Sequence, residues 1–233
     1  MFSPDKIRNV AIIAHGDAGK TSLVEAMLFR CGLINRLGRV DKGTALCDYD
    51  PEEIKRRITI GTSIVPVHWK EAKINILDTP GYADFCGDVA GALRAVDGAV
   101  VVICGVSGVE VGTQRVWQYA DEQKLPRLVF INKLDKEHAD FEQVLAQTKE
   151  RLSTKIIPIQ LPIGQATAFR GVLDLIEMKA FTYPEGKLTE TPLPDEISDQ
   201  ASKYREGLIE AIAETDDALL EKYLEGQGLD KED

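Results

Sequence analysis

The segment Ala14-His15-Gly16-Asp17-Ala18-Gly19-Lys20-Thr21 constrains this chain more than any other feature. It follows an apolar run, Val10 to Ile13, and opens a helix-period segment from about Lys20 to Cys31 that Gly32 stops. Apart from Ala14 in place of the first glycine, it fits the phosphate-loop pattern. A strand feeding a tight loop at a helix amino terminus aims backbone N–H groups and the helix dipole at one point, which suits a triphosphate. His15, Gly16, Asp17, Ala18, Gly19 and Ser22 form the nucleotide-binding set with Lys20 and Thr21. Lys20 is expected to reach the β- and γ-phosphates, and the Thr21 hydroxyl to ligate Mg²⁺. A Gly-rich turn with an exposed lysine is the plain alternative for this segment taken alone.

Downstream, short apolar runs alternate with helix-period segments, the pattern of a parallel sheet covered by helices, so the expected class is α/β. Residues 33–57 are polar, basic and poorly periodic, a stretch long enough that it should be either a functional loop or partly disordered. A hairpin is expected next, Thr62 to Trp69 and Lys73 to Leu77, ending at Asp78. Helices at Asp84–Val96, Val111–Lys124 and Asp140–Leu152 should then alternate with strands at Gly98–Cys104, Leu128–Ile131 and Ile156–Gln160. After Pro162 the character changes to short strands, Gly171–Ile176 and Ala180–Tyr183, a Pro-rich link and two acidic helices, which puts a domain boundary near residue 161.

Two further motifs end apolar strands. Asp78-Thr79-Pro80-Gly81 places Asp78 at a strand's carboxyl edge, where it can hold Mg²⁺ through a water, and Gly81 can offer its N–H to the γ-phosphate. Asn132-Lys133-Leu134-Asp135 ends the strand near Ile131, and the Asp135 carboxylate can accept hydrogen bonds from the guanine ring N–H and amino group, an edge adenine does not present. Each motif alone is weak, since Asp, Pro and Gly are ordinary turn formers. Three in order, each at the carboxyl end of a strand, coincide with where α/β sheets bind ligands. An ATP-using phosphate-loop enzyme is the rival that Asp135 argues against.

Net charge is −10, but residues 183–233 alone carry 15 acidic and 5 basic side chains, leaving the remainder neutral. This acidic end should repel nucleic acid phosphate, so no DNA partner is expected, and it suits a basic or helix-binding protein; a merely solvated helical face explains it equally. The longest apolar run, Ala99 to Cys104, is too short to cross a bilayer. The amino terminus lacks the apolar core of a secretory signal, so a cytoplasmic location and no membrane partner are expected. Cys31, Cys47, Cys86 and Cys104 are scattered and read as reduced thiols.

With AHGDAGKT, RRITI at Arg56–Ile60, INILDTPG, NKLD and PIQLPIGQATAFRGVLDLIEMKAF from Pro158, residues 7–181 resemble the amino-terminal part of a translational GTPase, closest to elongation factor G and its paralogues. The resemblance implies a P-loop NTPase fold with helices on both faces of a mostly parallel sheet, spanning residues 1–161, and an inserted α+β subdomain over 162–233. It implies GTP/GDP and Mg²⁺ as ligands, Mg²⁺-dependent GTP hydrolysis, and a ribosome-dependent switch. Thr59 would be the switch I threonine that closes onto Mg²⁺, with switch I running from about Ile34 to Ile60. Lys20, Thr59, Gly81 and residue 82 would be the catalytic positions. The acidic helices would face the ribosomal stalk protein. Arg36, Arg39, Lys42, Lys55, Arg56 and Arg57 would meet ribosomal RNA, or simply stay solvated.

The chain departs from the family at several places. Tyr82 stands where a histidine usually orients the attacking water; a phenol with pKa near about 10 cannot serve as an imidazolium at neutral pH. Gly16 replaces a bulky aliphatic residue, and a larger ring at 82 is expected to occupy that space. Arg57 stands where the family often has glycine. No Ser-Ala dipeptide, the signature of the loop that closes the guanine site, occurs in the sequence, so the chain is expected to stop before the last strand. Hydrolysis that is slow or differently triggered follows from Tyr82, with a nucleotide-binding switch of negligible hydrolysis as the alternative.

Overall fold

The computed structural model describes residues 2–229 and divides into two compact units, with the division between Lys133 and Leu134. In the first unit, β1 (Ile7–Ala14) leads through the loop to α1 (Lys20–Arg30). A short helix, α2 (Pro51–Arg56), precedes the hairpin β2 (Ser63–Trp69) and β3 (Ala72–Asp78), followed by α3 (Cys86–Leu93), β4 (Gly98–Cys104), α4 (Val111–Glu122) and β5 (Arg127–Asn132). The sheet order is β2-β3-β1-β4-β5, with β3, β1, β4 and β5 parallel and β2 antiparallel at one edge.

Side chains alternate across these strands, so the central strand β1 feeds a core on each face, while the edge strand β2 buries only Ser63, Val65 and Val67 on one face. Ile12, Ala14, Ile76 and Val102 pack on one side with Val24 and Leu28 of α1, an i, i+4 pair that gives this helix its buried stripe. Ala11 and Ile13 are fully buried on the other side, where α3 and α4 meet β1. The parallel register sets Ile12 beside Asp78 and Cys104 beside Asn132. Three strand ends therefore meet the loop after Ala14 along one edge.

The second unit holds α5 (Phe141–Arg151), an antiparallel sheet in the order β6 (Gln160–Ile163), β7 (Gly171–Asp174), β8 (Lys179–Thr182), β9 (Thr189–Thr191), and the helices α6 (Asp195–Ala213) and α7 (Asp217–Leu224). Leu161, Ile163, Leu173, Leu175 and Ala180 pack against Ile197, Ala201 and Leu208 of α6, and Phe141 of α5 joins them. Glu142 of α5 accepts hydrogen bonds from Gln200 and Tyr204.

The α/β class with a mostly parallel sheet holds, together with a second, antiparallel sheet. Several element expectations are corrected. No strand covers Ile156–Ile159, because Pro158 lacks an N–H; the strand begins at Gln160 and joins the second sheet. The helix expected at 84–96 is a 3₁₀ turn, Ala83–Phe85, followed by the shorter α3. The stretch 33–57, expected as a loop or partly disordered, contains a 3₁₀ turn at Val40–Lys42 and α2. In α2, Asp50 caps the helix, Pro51 sits in its first turn and Glu53 completes a capping box. Among the described residues, no helix is long and apolar enough to cross a membrane.

Helix α2 ends at Arg57, whose φ is 59°, the left-handed conformation in which a side chain is strained. Arg57→Gly is expected to raise stability by about 0.5–1 kcal/mol, read as a higher urea midpoint at unchanged slope.

Candidate functional site

Charge burial defines the site. Lys20 at the start of α1 is 6% exposed, and its ammonium donates to the His15 carbonyl at 3.3 Å. Burial lowers its pKa, against the opposing pull of Asp78, Asp17 and Asp48. Asp78, at the end of β3, is fully buried, and neither carboxylate oxygen has a hydrogen-bond partner. Burial pushes its carboxyl up to about 7. The nearby Thr21 hydroxyl and the Lys20 ammonium oppose that shift without Thr21 making a bond that satisfies the carboxylate. A buried polar group costs free energy until it finds a partner, so these two residues fit an anion beside a cation.

Three hydroxyl and carboxyl groups gather at the same place. The Thr21 and Thr59 hydroxyls lie 3.0 Å apart, and Thr59 donates to Asp48 Oδ1 at 2.8 Å. Asp48 is itself buried, with Oδ2 unpartnered and its pKa raised chiefly by burial. Thr21, Thr59 and Asp78 thus offer the oxygen ligands that a hard divalent cation such as Mg²⁺ takes. Asp48, absent from the sequence reading, belongs to this group; nothing in its polar, aperiodic surroundings marked it.

Gly81 presses against the loop. A Cβ there would collide with the Lys20 ammonium and lie 2.9 Å from Gly16 Cα, so only glycine lets this backbone approach. Tyr82 follows, with its ring over Gly16: a Cβ at 16 would stand 3.4 Å from two of the ring carbons. The Tyr82 hydroxyl donates to Asp17 Oδ2 at 3.1 Å, and partial burial and Asp17 raise its pKa, so the phenol stays neutral near pH 7. At the end of β5, Asn132 Nδ2 donates to the Ala18 carbonyl at 3.0 Å and Lys133 Nζ to the Asp17 carbonyl at 2.6 Å, tying the third motif to the loop.

A cleft of about 780 Å³ opens over these groups, walled by Lys20, Thr21, Ser22, Thr59, Tyr82 and Lys133. Its volume suits a nucleotide-sized ligand. His15 supplies its carbonyl, while its ring turns to Glu110, 3.5 Å away. Asp135 falls in the second unit, where it pairs with Lys136 at 3.7 Å. The four cysteines are free; burial, with nearby carboxylates, pushes the Cys47 thiol up, which makes it unreactive.

Residues 5–226 match the family model described as Elongation factor Tu GTP binding domain. Among solved structures, a crystal structure of a protein from Thermus thermophilus matches with a TM-score of 0.92 and 40% identity, covering 97% of this chain and 34% of that one. This chain therefore spans about a third of the length of that relative.

The raised Asp78 pKa gives this residue's own contribution to free-chain stability a definite sign with pH. The folded carboxyl keeps its proton up to about 7, while the unfolded one loses it near 3.8, so between these values the folded state binds more protons and stability falls as pH rises. The full effect, roughly 4 kcal/mol, is reached above pH 7. Asp78→Asn in chelator is expected to flatten this dependence and to stabilise the free chain at pH 8 by at least about 1 kcal/mol, measured by urea unfolding at pH 5 and pH 8.

Proposed function

The chain belongs to the elongation factor Tu GTP-binding-domain family, whose members are GTPases, and on that premise we propose that it binds GTP with Mg²⁺, hydrolyses it to GDP and phosphate, and acts as a ribosome-dependent switch resembling the elongation factor G branch. The observation that carries this reading is the buried pair Lys20, which lines the cleft, and Asp78, which feels its charge and has two unpartnered oxygens; a phosphate and a cation would supply the partners.

In this reading the loop from Gly16 to Thr21 cradles the phosphates with backbone N–H groups, and Lys20 contacts the β- and γ-phosphate oxygens. Thr21, Thr59 and Asp78 would hold Mg²⁺, which when bound would supply neutralisation of the charge on the phosphate oxygens. The Gly81 N–H meets the γ-phosphate. Asn132 and Lys133 brace the loop, as their bonds to Ala18 and Asp17 support, and Asp135 selects guanine. Residues 162–233 are read as an insertion, although the compact unit begins earlier, at Leu134, because α5 packs with its core. The acidic helices would face the ribosomal stalk protein, the exposed basic residues of 36–57 would face ribosomal RNA, and the location would be cytoplasmic.

Tyr82 decides the rate. Its hydroxyl can accept from and donate to a water, but the neutral phenol cannot add positive charge beside the γ-phosphate. Its bond to Asp17 also occupies the phenol's one proton. Slow hydrolysis is the reading these facts favour, and the same bond supports the second reading, a switch that works by occupancy with negligible hydrolysis.

Calorimetric titration of the chain in Mg²⁺ buffer at fixed salt is expected to give saturable binding of GDP and none of ADP, with GDP binding lost in Lys20→Ala. Single-turnover hydrolysis with ribosomes should rise by about tenfold or more in Tyr82→His. Equal rates for the two chains would remove Tyr82 as the cause of slow hydrolysis, and no turnover in wild type would favour the occupancy switch.

A further inference from the structure

Glu25 is a buried charge that the nucleotide site does not use. It lies four residues beyond Thr21 on α1, one turn along the same face, is 1% exposed and does not line the cleft. Among the described residues it forms no ion pair. Its carboxylate instead accepts two backbone N–H bonds from distant chain: Oε2 from Gly38 at 2.9 Å and Oε1 from Leu46 at 2.5 Å. Gly38 is shaped for this contact. A Cβ there would collide with Glu25 Oε2 and stand 2.6 Å from the Thr44 carbonyl oxygen and 2.8 Å from Ala45 Cα.

Two levels of α1 therefore pin the segment 34–60. Thr21 meets Thr59 at the first turn, and Glu25 holds residues 38 and 46 one turn later. The residues just past Gly38, Arg39 to Asp41, form part of the cleft wall. We propose that Glu25 is a positioning residue, a clasp that fastens the 34–60 strap to the helix bearing Lys20 and Thr21 and so controls how long a guanine nucleotide stays in the cleft. A carboxylate suits the task because both of its oxygens accept; a glutamine in its place keeps one acceptor and turns an NH₂ group toward an N–H donor. Hydrogen bonds to a buried charge are among the stronger ones in proteins, so the clasp holds a strap that otherwise carries many exposed polar residues.

The inference rests in part on the guanine-nucleotide reading, and two measurements separate them. The first needs no nucleotide: brief trypsin digestion of the free chain, with cleavage followed by mass spectrometry at Arg36, Arg39 and Lys42. Glu25→Gln is expected to speed cleavage at these sites by about tenfold or more, while cleavage at basic residues outside the strap stays within about twofold. The second is the dissociation rate of fluorescent GDP and of a non-hydrolysable GTP analogue, expected to rise by about tenfold in the variant. Gly38→Ala attacks the same contact from the strap and leaves α1 intact, so it decides the matter if Glu25→Gln fails to fold; in the double variant the second change should add little. Strap cleavage within about twofold of wild type in the folded variants would overturn the clasp, as would fast cleavage with unchanged dissociation. Failure of wild type to bind GDP would instead overturn the nucleotide reading, leaving the cleavage result to judge the clasp.

Discussion

A buried ammonium and a buried carboxylate that do not neutralise each other are the constraint on which the first unit depends. Lys20 and Asp78 feel each other's charge, yet they form no ion pair, and Asp78 keeps two bare oxygens. Taking such groups out of water costs several kcal/mol each unless partners are supplied. The fold bears that cost through the hydrophobic cores on both faces of the parallel sheet, whose register leaves no choice about where the strand ends fall. With Ile12 beside Asp78 and Cys104 beside Asn132, the loop after Ala14 has the other two motifs as its neighbours.

The strap over the cleft follows an unusual division of charge. Its basic residues, Arg36, Arg39, Lys42, Lys55, Arg56 and Arg57, are all exposed, while the carboxylates that organise it, Glu25, Asp48 and Glu53, are buried. Glu53 accepts N–H bonds from Asp50, Ile60 and Gly61, which fixes the turn that presents Thr59. Glu25 and Glu53, satisfied by backbone N–H groups, hold the chain's course without pairing to a mobile cation, while Asp48 takes the Thr59 hydroxyl. The outward arginines and lysines face solvent, where Arg39 pairs with Asp41, and Lys55 and Arg56 with Glu52.

Several of these groups lay outside what the sequence discloses. Glu25 sits within a helical pattern, and its one legible oddity is that it shares a face with Thr21 and Leu28 rather than with the solvent-facing residues. Its partners are 13 and 21 residues away, a separation no local pattern encodes. Asp48 carries no signal at all. Asp50-Pro51-Glu52-Glu53, in contrast, is a readable helix start that the polarity of its surroundings concealed. The strand at Gln160 was misplaced because an apolar run cannot say which of two sheets it joins.

The sequence by itself determined the α/β class, the order of the five strands and of α1, α3 and α4 in the first unit, and the three motifs at strand ends, because apolar periodicity and glycine placement are local properties of the chain. It also marked Tyr82 and Gly16 as departures, since residue identity needs no coordinates. Only the tertiary structure decided that the Tyr82 ring lies over Gly16 with its hydroxyl on Asp17, that Asp78 is buried without partners, and that Glu25 fastens a segment remote in sequence. Those facts depend on burial and on contacts between residues far apart in the chain, and both exist only once the sheet has brought its strand ends together.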